Sequence, residues 1–443
     1  MPPHPGASGY HLTRERLMQD LYRSYLEARR HKRGKPYQMK FEMHLEDNLS
    51  ELCDELWERT YAPLPSKCFV IKDPTLREVF AADFRDRVVH HLYYKYTYKM
   101  YDQTLIEDCY SCRKGKGTLY GVERLAHHIK VESHNYTRDC YVLKMDVSGY
   151  FMHINRVRLL GLCLQTQEKM AHRQSCIPGR SWREAIDMDF VDYLTRQIVL
   201  LNPTAYCHIY GSRKDWAHLP RSKSLYYSDE GCGLPIGNLT SQVFSNIYMN
   251  VFDQWMKRQL KCGHYGRYVD DFYVVSTSRQ WLTDIVDRIT DFLWTELGLT
   301  VNPEKTIIYN VKYGVPFLGC YLKMGRTYVE RKSWRHMRQH LLHEQEYAGV
   351  LRLRSVVNSY LGLLRHVNSY QVTQQFFCTL KRVQFLGSFA PYKRKFELSA
   401  YTLDTMRIQG YLRMIDEEEC PLEYADVEVL CHEYVDKYLA TKE

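Results

Sequence analysis

The chain has 443 residues, 45% of them hydrophobic, enough apolar material for a substantial core and for two or three structural units. Its 61 Lys and Arg against 52 Asp and Glu give a net charge of +9, so moderate that only its distribution along the chain is informative. There is no signal peptide and no apolar run near the roughly 18 residues of a membrane span. The 14 cysteines follow no regular spacing. A cytoplasmic protein with no membrane partner fits best, and secreted disulfide scaffolds are set aside.

Residues 1–9 read as a leader, and apolar spacing from Leu12 to Arg33 predicts a helix, so 1–34 form the first segment. The basic cluster Arg29 to Lys35 is either a phosphate contact or a solvated turn. A second helix is predicted from Gln38 to Arg59, with Leu45, Leu49, Leu52 and Leu56 as its core face. Pro63 and Pro65 break the pattern before a short strand, Cys68–Lys72; a turn, a strand and a basic helix follow through His91. The run Tyr93-Tyr-Lys-Tyr-Thr-Tyr-Lys99 suits base stacking or, equally, an amphipathic helix face. Cys109 and Cys112 have zinc-like spacing without a second pair, which favours ordinary thiols. Ser111-Cys-Arg-Lys-Gly-Lys-Gly-Thr118 lacks the ending and opening strand of a nucleotide-hydrolysing phosphate loop.

Two acidic stretches organise the middle of the chain. Tyr141-Val-Leu-Lys-Met-Asp-Val-Ser-Gly-Tyr-Phe151 is a strand-like run ending in Asp146 and a small-residue break. His264-Tyr-Gly-Arg-Tyr-Val-Asp-Asp-Phe-Tyr-Val-Val-Ser276 places Asp270 and Asp271 inside an aromatic and β-branched run. Buried carboxylates require compensation, and a divalent cation is the first candidate; an acidic pair that merely caps a turn is the alternative. Adjacent strand residues face opposite ways, so the pair can converge only at a hairpin tip, where Gly266 and the turn are expected to relax the alternation. Three acids, with hard cations about 4 Å apart, suit the transfer of a nucleotidyl group to a 3′-hydroxyl.

Between these stretches lies an insert, about 155–230, polar and basic in its later part and unreadable in function from residue types alone. Gly233-Leu-Pro-Ile-Gly-Asn-Leu-Thr-Ser-Gln242 is expected to feed a helix starting near Val243, capped by Thr240 and Ser241. Leu282 to Leu297 reads as an amphipathic helix, and Leu299 to Thr306 as a turn and strand. Lys305 there is either a general acid for the leaving group or a surface lysine. From Arg331 to Lys395, 12 Lys or Arg face two acids, Glu344 and Glu346, which suits the backbone of a heteroduplex. The last 28 residues hold ten acids and two bases, marking a separate acidic appendage.

The Asp-x-x-x-aromatic-aromatic strand end at Asp146 and the Tyr-x-Asp-Asp hairpin resemble the palm of reverse transcriptases. The resemblance spans roughly residues 35–370. It implies an α+β right-hand polymerase, with fingers (35–135), an antiparallel-sheet palm (136–325), a basic helical thumb (326–400) and an acidic appendage (401–443). It implies an RNA-directed DNA polymerase using two Mg2+ ions, or Mn2+, with Asp146, Asp270 and Asp271 as ligands and the Val147 carbonyl as a further oxygen. Phe151 would exclude a ribose 2′-hydroxyl. Arg77 would lie over the incoming dNTP, with Thr75 where the bacterial pattern has Lys, and Arg85 and Arg87 would act nearby or on the template. Arg113, Gly115 and Gly117 match a template-contacting loop. Val315-Pro-Phe-Leu-Gly-Cys-Tyr-Leu322 resembles the primer grip, with Gly319 allowing close approach, and Ser359 to His366, including Arg365, resembles the thumb helix.

Ile236 and Gln242 replace the Gln and Pro of the usual nucleotide-contacting motif around Gly237. These departures resemble the reverse transcriptases of diversity-generating retroelements, which miscopy chiefly at template adenines and work with a small basic accessory protein. A defence enzyme using a companion noncoding RNA is the alternative. Homo-oligomerisation is a further expectation. A silent RNA-binding scaffold is opposed by the three acids, and an RNA-dependent RNA polymerase by bulky Phe151.

Overall fold

The computed structural model describes residues 9–417 except His31, Arg33, Asp73, Pro74 and 391–394; the leader up to residue 8 and the acidic segment from 418 lie outside the described residues. The chain divides into two units, 1–318 with 322–325, and 319–321 with 326–443.

In the first unit, α1 (Arg14–Arg29) starts where Thr13 Oγ1 accepts the Arg16 amide, an ordinary N-cap. The predicted second helix is two, α2 (Pro36–Glu42) and α3 (Leu45–Trp57). Asn48 Nδ2 donates to the Phe41 carbonyl at the end of α2 (2.9 Å), and the ensuing turn lets the Phe41 ring meet Phe84 edge-on. β1 (Ser66–Ile71) and β2 (Arg77–Ala81) pair antiparallel before α4 (Phe84–Asp102) and α5 (Thr118–Glu132). The tyrosine run lies on α4. Tyr93 and Tyr101 are buried and share a hydroxyl hydrogen bond (2.8 Å), and Tyr98 is buried as well. Tyr93 and Tyr98 are therefore core aromatics with satisfied polar tips, not an exposed stacking platform.

β3 (Tyr141–Asp146) leads through α6 (Tyr150–His153) into α7 (Arg156–Ala171), α8 (Trp182–Ala185), α9 (Met188–Val199) and β4 (Cys207–Ile209). The expected insert is thus not an added module. Leu159, Cys163, Val191 and Leu194 on α7 and α9 are fully buried in the central core, which includes α4. β4 extends the first sheet by pairing parallel with β1, giving the order β2-β1-β4. The basic segment after β4 is fastened to β2 by one buried acid: Glu78 accepts from Trp216 Nε1 (2.7 Å), Ser224 Oγ (2.9 Å) and the Leu225 amide (2.7 Å).

α10 begins at Leu239, earlier than expected, and runs to Arg258. Thr240 is no cap, because its hydroxyl bonds His90 Nδ1 (2.7 Å), while Asn238 Oδ1 accepts the Ala82 amide (3.1 Å). β5 (Tyr265–Tyr268), β6 (Asp271–Ser276), α11 (Arg279–Leu297) and β7 (Ile307–Asn310) complete an antiparallel sheet of order β5-β6-β3-β7. Helices α5 and α11 pack against this sheet, which makes the unit α+β. β8 (Val315–Phe317) and β9 (Cys320–Lys323) follow.

The second unit carries β10 (Arg326–Val329), α12 (Arg331–Tyr347), α13 (Val350–Leu364), α14 (Tyr370–Phe377), α15 (Lys381–Leu386), a hairpin of β11 (Gly387–Ala390) and β12 (Lys395–Leu398), and α16 (Ala400–Glu417). Met337, Leu341, Leu353, Val357 and Leu361 recur at helical spacing and are buried. Asn358 pairs with the Phe396 backbone through both side-chain atoms (2.8 and 3.0 Å), tying α13 to the hairpin.

Candidate active site

Strand register brings the acids together. In the β3–β6 pair Asp146 stands directly opposite Asp271, so both side chains share one face of the sheet. Asp270 is the last residue of the hairpin turn, and its carbonyl accepts the Val147 amide (3.3 Å). The turn escapes strand alternation through Val269, whose φ of +58° is left-handed. Gly266 has a different task from the one expected. It lies within β5, where an added Cβ would stand 2.6 Å from Tyr273 Oη and closer still to Tyr110 Oη.

Burial, together with the Asp146 and Asp271 charges, pushes the Asp270 carboxyl up to about 6. Burial raises Asp271 to about 6 as well, against the pull of Lys144, whose Nζ is 3.5 Å from Asp271 Oδ2. Lys305 Nζ donates to Asp146 Oδ2 at 2.5 Å. Partial burial pulls Lys305 down, but the bond and charge of Asp146, with Asp270 and Asp271 behind it, carry it above its ordinary value. Among the described residues no set of three or more His, Cys, Asp and Glu side chains stands ready-made around an ion; here two lysine ammoniums neutralise the acids. The donor set nevertheless fits a hard cation, since it consists of carboxylates, two of which, Asp270 and Asp271, are raised by burial and by neighbouring acidic charge.

A bridge to Val301 fixes the strand end after Asp146: the Asp146 carbonyl accepts the Asn302 amide (2.8 Å) and the Ser148 amide donates to Thr300 (2.8 Å), while the Val147 carbonyl takes no part in it. Phe151 is half-buried, edge-on to Tyr150, whose hydroxyl donates to the Ser245 carbonyl (2.5 Å). Ile236 packs against the cluster containing Cys68, Phe80 and Met152, and its carbonyl accepts the Phe80 amide (2.9 Å). Gly237, at φ +123°, allows this approach, because a Cβ would reach Val79 Cγ1 at 2.8 Å. Gln242 is exposed on the first turn of α10.

Arg77 is exposed at the start of β2, and its Nε donates to Thr75 Oγ1 (3.0 Å), so the residue at the expected Lys position orients the arginine. The other two arginines of this region are internal. Arg85 pairs with Glu55 and bonds the Ala62 carbonyl; Arg87 donates to the Ala82 carbonyl (2.9 Å) and lies over the Tyr37 ring. Arg113 is likewise turned inward, onto Asp102 Oδ1 (2.7 Å) and the carbonyls of Ile106 and Cys109, with its side chain 7% exposed. Arg85 and Arg113 are thus each paired with a carboxylate on another element, Glu55 on α3 and Asp102 on α4, and Arg87 is held by the Ala82 carbonyl and the Tyr37 ring. Gly115 and Gly117 have open space where a Cβ would be. In the second unit Gly319, at φ +79°, accepts the Glu330 amide (2.9 Å), and Arg365 is exposed at the end of α13, bonded to His366.

The sequence reading missed a buried group behind the hairpin. Arg267 Nε and Nη2 engage both oxygens of Asp253 (2.8 and 2.6 Å), with neither side chain exposed. The available signal was a lone cation in an apolar strand and a lone acid in an apolar helix. Cys109 Sγ joins this group, accepting from Arg267 Nη2 (3.3 Å).

No curated protein matches the chain. Among solved structures, it is similar to an apo telomerase from Candida tropicalis truncated from its C-terminal domain, at 13% identity, covering 60% of this chain and 55% of that one with a TM-score of 0.44. Telomerase from Candida albicans in complex with a TWJ fragment of telomeric RNA is similar at 13% identity over 74% of this chain and 60% of that one, TM-score 0.41. The chain thus spans less than two thirds of these proteins. Residues 76–322, more than half of the chain and including β3, the hairpin and Lys305, match the reverse transcriptase (RNA-dependent DNA polymerase) family. The chain belongs to that family.

Proposed function

We propose that the enzyme copies a structured template RNA into complementary DNA at Asp146, Asp270 and Asp271, and that it is the error-prone polymerase of a diversity-generating retroelement. The observation that supports the site is the pairing of Asp146 with Asp271 beside the Asp270 turn. Asp146, Asp270, Asp271 and the Val147 carbonyl would hold two Mg2+ ions, or Mn2+ in their place, which when bound activate the primer hydroxyl and neutralise the phosphate oxygens. Lys305, which donates to Asp146, would protonate the departing pyrophosphate oxygen. Arg77 offers a charged fork to the dNTP triphosphate, and Phe151 blocks a sugar carrying a 2′-hydroxyl.

Ile236 and Gly237, with Gln242 at the helix start, form a nucleotide pocket wall in which an apolar residue stands at the position of an orienting amide, which relaxes base selection. The first sheet with α1–α4 serves as fingers, the second as palm, and the second unit as a thumb on the RNA–DNA heteroduplex. Gly115 and Gly117 leave room for the template and Gly319 for the primer, with Arg365 on phosphate. A small basic accessory protein, or a second copy of the chain, would complete the assembly.

The test is to purify the protein with its bound RNA and sequence both that RNA and the DNA made from it. Complementary DNA with errors concentrated at template adenines supports this reading. A faithful copy of a fixed noncoding RNA would point instead to the defence role, and product from an Asp270→Ala, Asp271→Ala variant would overturn the site.

A further inference from the structure

Val269 is a β-branched residue in the left-handed region, a conformation such side chains rarely adopt. Its two backbone groups are both held from behind. Arg267 Nη1 donates to the Val269 carbonyl (2.8 Å), and Ser111 Oγ accepts the Val269 amide (3.2 Å). Each holder is fixed in turn. Asp253 on α10 grips the Arg267 guanidinium in a bidentate pair, and Tyr265 Oη donates to the same carboxylate (2.6 Å). Asn246, also on α10, accepts from Ser111 Oγ (3.0 Å) and Arg267 Nη1 (3.3 Å) and donates to the Ser111 carbonyl (2.9 Å). The segment around Cys109 lies alongside β5 through the Arg267 amide to Asp108 and the Tyr110 amide to Arg267, both 2.9 Å.

We propose that Arg267 and Ser111, fixed by Asp253 and Asn246, are positioning residues that hold Val269 left-handed and thereby aim the Asp270 carboxylate at the reacting centre. This rests on the assignment of Asp270 to the catalytic site. A fully buried ion pair adds little net stability, whereas its forked geometry fixes a direction, which is what a turn in an unfavourable conformation requires. The same network joins the turn to the Ser111–Thr118 loop through the Ser111 hydroxyl and through Asn246.

The experiment is steady-state single-nucleotide extension by the full chain on an RNA template with a DNA primer, across a Mg2+ titration, with the thermal midpoint of each variant measured alongside. Arg267→Lys keeps the charge and loses the fork. It should lower kcat by about 10- to 100-fold with dNTP KM within about threefold, and raise the Mg2+ needed for half-maximal rate. Ser111→Ala, milder for folding, should lower kcat by about 3- to 10-fold in the same pattern. Adding Val269→Gly to either should restore most of the loss, because glycine adopts this turn without being held.

Unchanged kcat and Mg2+ dependence in both folded single variants would overturn the proposal, as would a loss that Val269→Gly leaves in place. Asp270→Ala in the same assay separates the two levels. An active Asp270→Ala removes the site assignment and this inference with it. An inactive Asp270→Ala beside wild-type-like Arg267→Lys and Ser111→Ala removes this inference alone.

Discussion

Asp270 and Asp271 are held near a carboxyl value of about 6 by burial and by the charge of Asp146, and Lys144 and Lys305 partly offset this. Divalent cation binding should therefore stabilise the fold as well as support catalysis. Millimolar Mg2+ is expected to raise the thermal midpoint of the wild-type protein and to leave an Asp270→Asn, Asp271→Asn variant unmoved, as read by calorimetry. The same double substitution should reduce nucleotide incorporation by at least about 1,000-fold without unfolding the chain. Lys305→Arg keeps the contact to Asp146 but is a poor proton donor, so a kcat loss of about tenfold or more, with binding intact, is expected in rapid-quench assays. Ile236 sits where a polar side chain could reach forward from an anchored backbone, and Ile236→Gln should narrow the error spectrum of the product DNA. An unchanged spectrum would remove this position from the account of fidelity.

At the scale of elements, the segment after β4 is bound to β2 by a single carboxylate. Glu78→Ala would leave the Trp216, Ser224 and Leu225 donors without their acceptor and should destabilise the unit by on the order of 3 kcal/mol in urea unfolding. The contact matters beyond stability, because the loop closes on the strand end after Asp146: a Cβ on Gly149 would meet the Ser222 carbonyl at 2.8 Å. Helix α4 carries a pH response. Burial lowers His90 to about 3, and His128 on α5 likewise. The unfolded chain binds more protons on both between pH 3 and 6.5, so stability rises with pH across that window and is lost on acidification. Each histidine contributes up to about 1.4 kcal/mol per pH unit below 6.5. Asp86, raised to about 6 by burial, acts in the opposite sense below pH 6. His90→Asn can keep the bond to Thr240 and should flatten the acid limb of the stability–pH curve.

For the whole molecule, charge is segregated: α12 exposes Arg331, Lys332 and Arg335 among few acids. If this unit follows the heteroduplex backbone, Lys332→Gln with Arg335→Gln should weaken binding uniformly across sequences. The slope of log affinity against log salt should then fall by roughly 1 to 2, measured by fluorescence anisotropy. No described helix is long and apolar enough to cross a membrane.

Residue order alone determined the acids, the hairpin, the basic helical segment and the family resemblance. The reason is that strand runs interrupted by carboxylates, and local charge, are properties of neighbours in the chain. Only the tertiary structure decided where long-range partners fall. It made α7 and α9 core rather than insert, turned Arg85, Arg87 and Arg113 inward, and moved the release of strand alternation from Gly266 to Val269. An arginine looks the same in sequence whether its guanidinium meets a phosphate or a carboxylate from a distant helix. That choice is made by packing between segments such as β5 and α10, whose proximity no local pattern encodes.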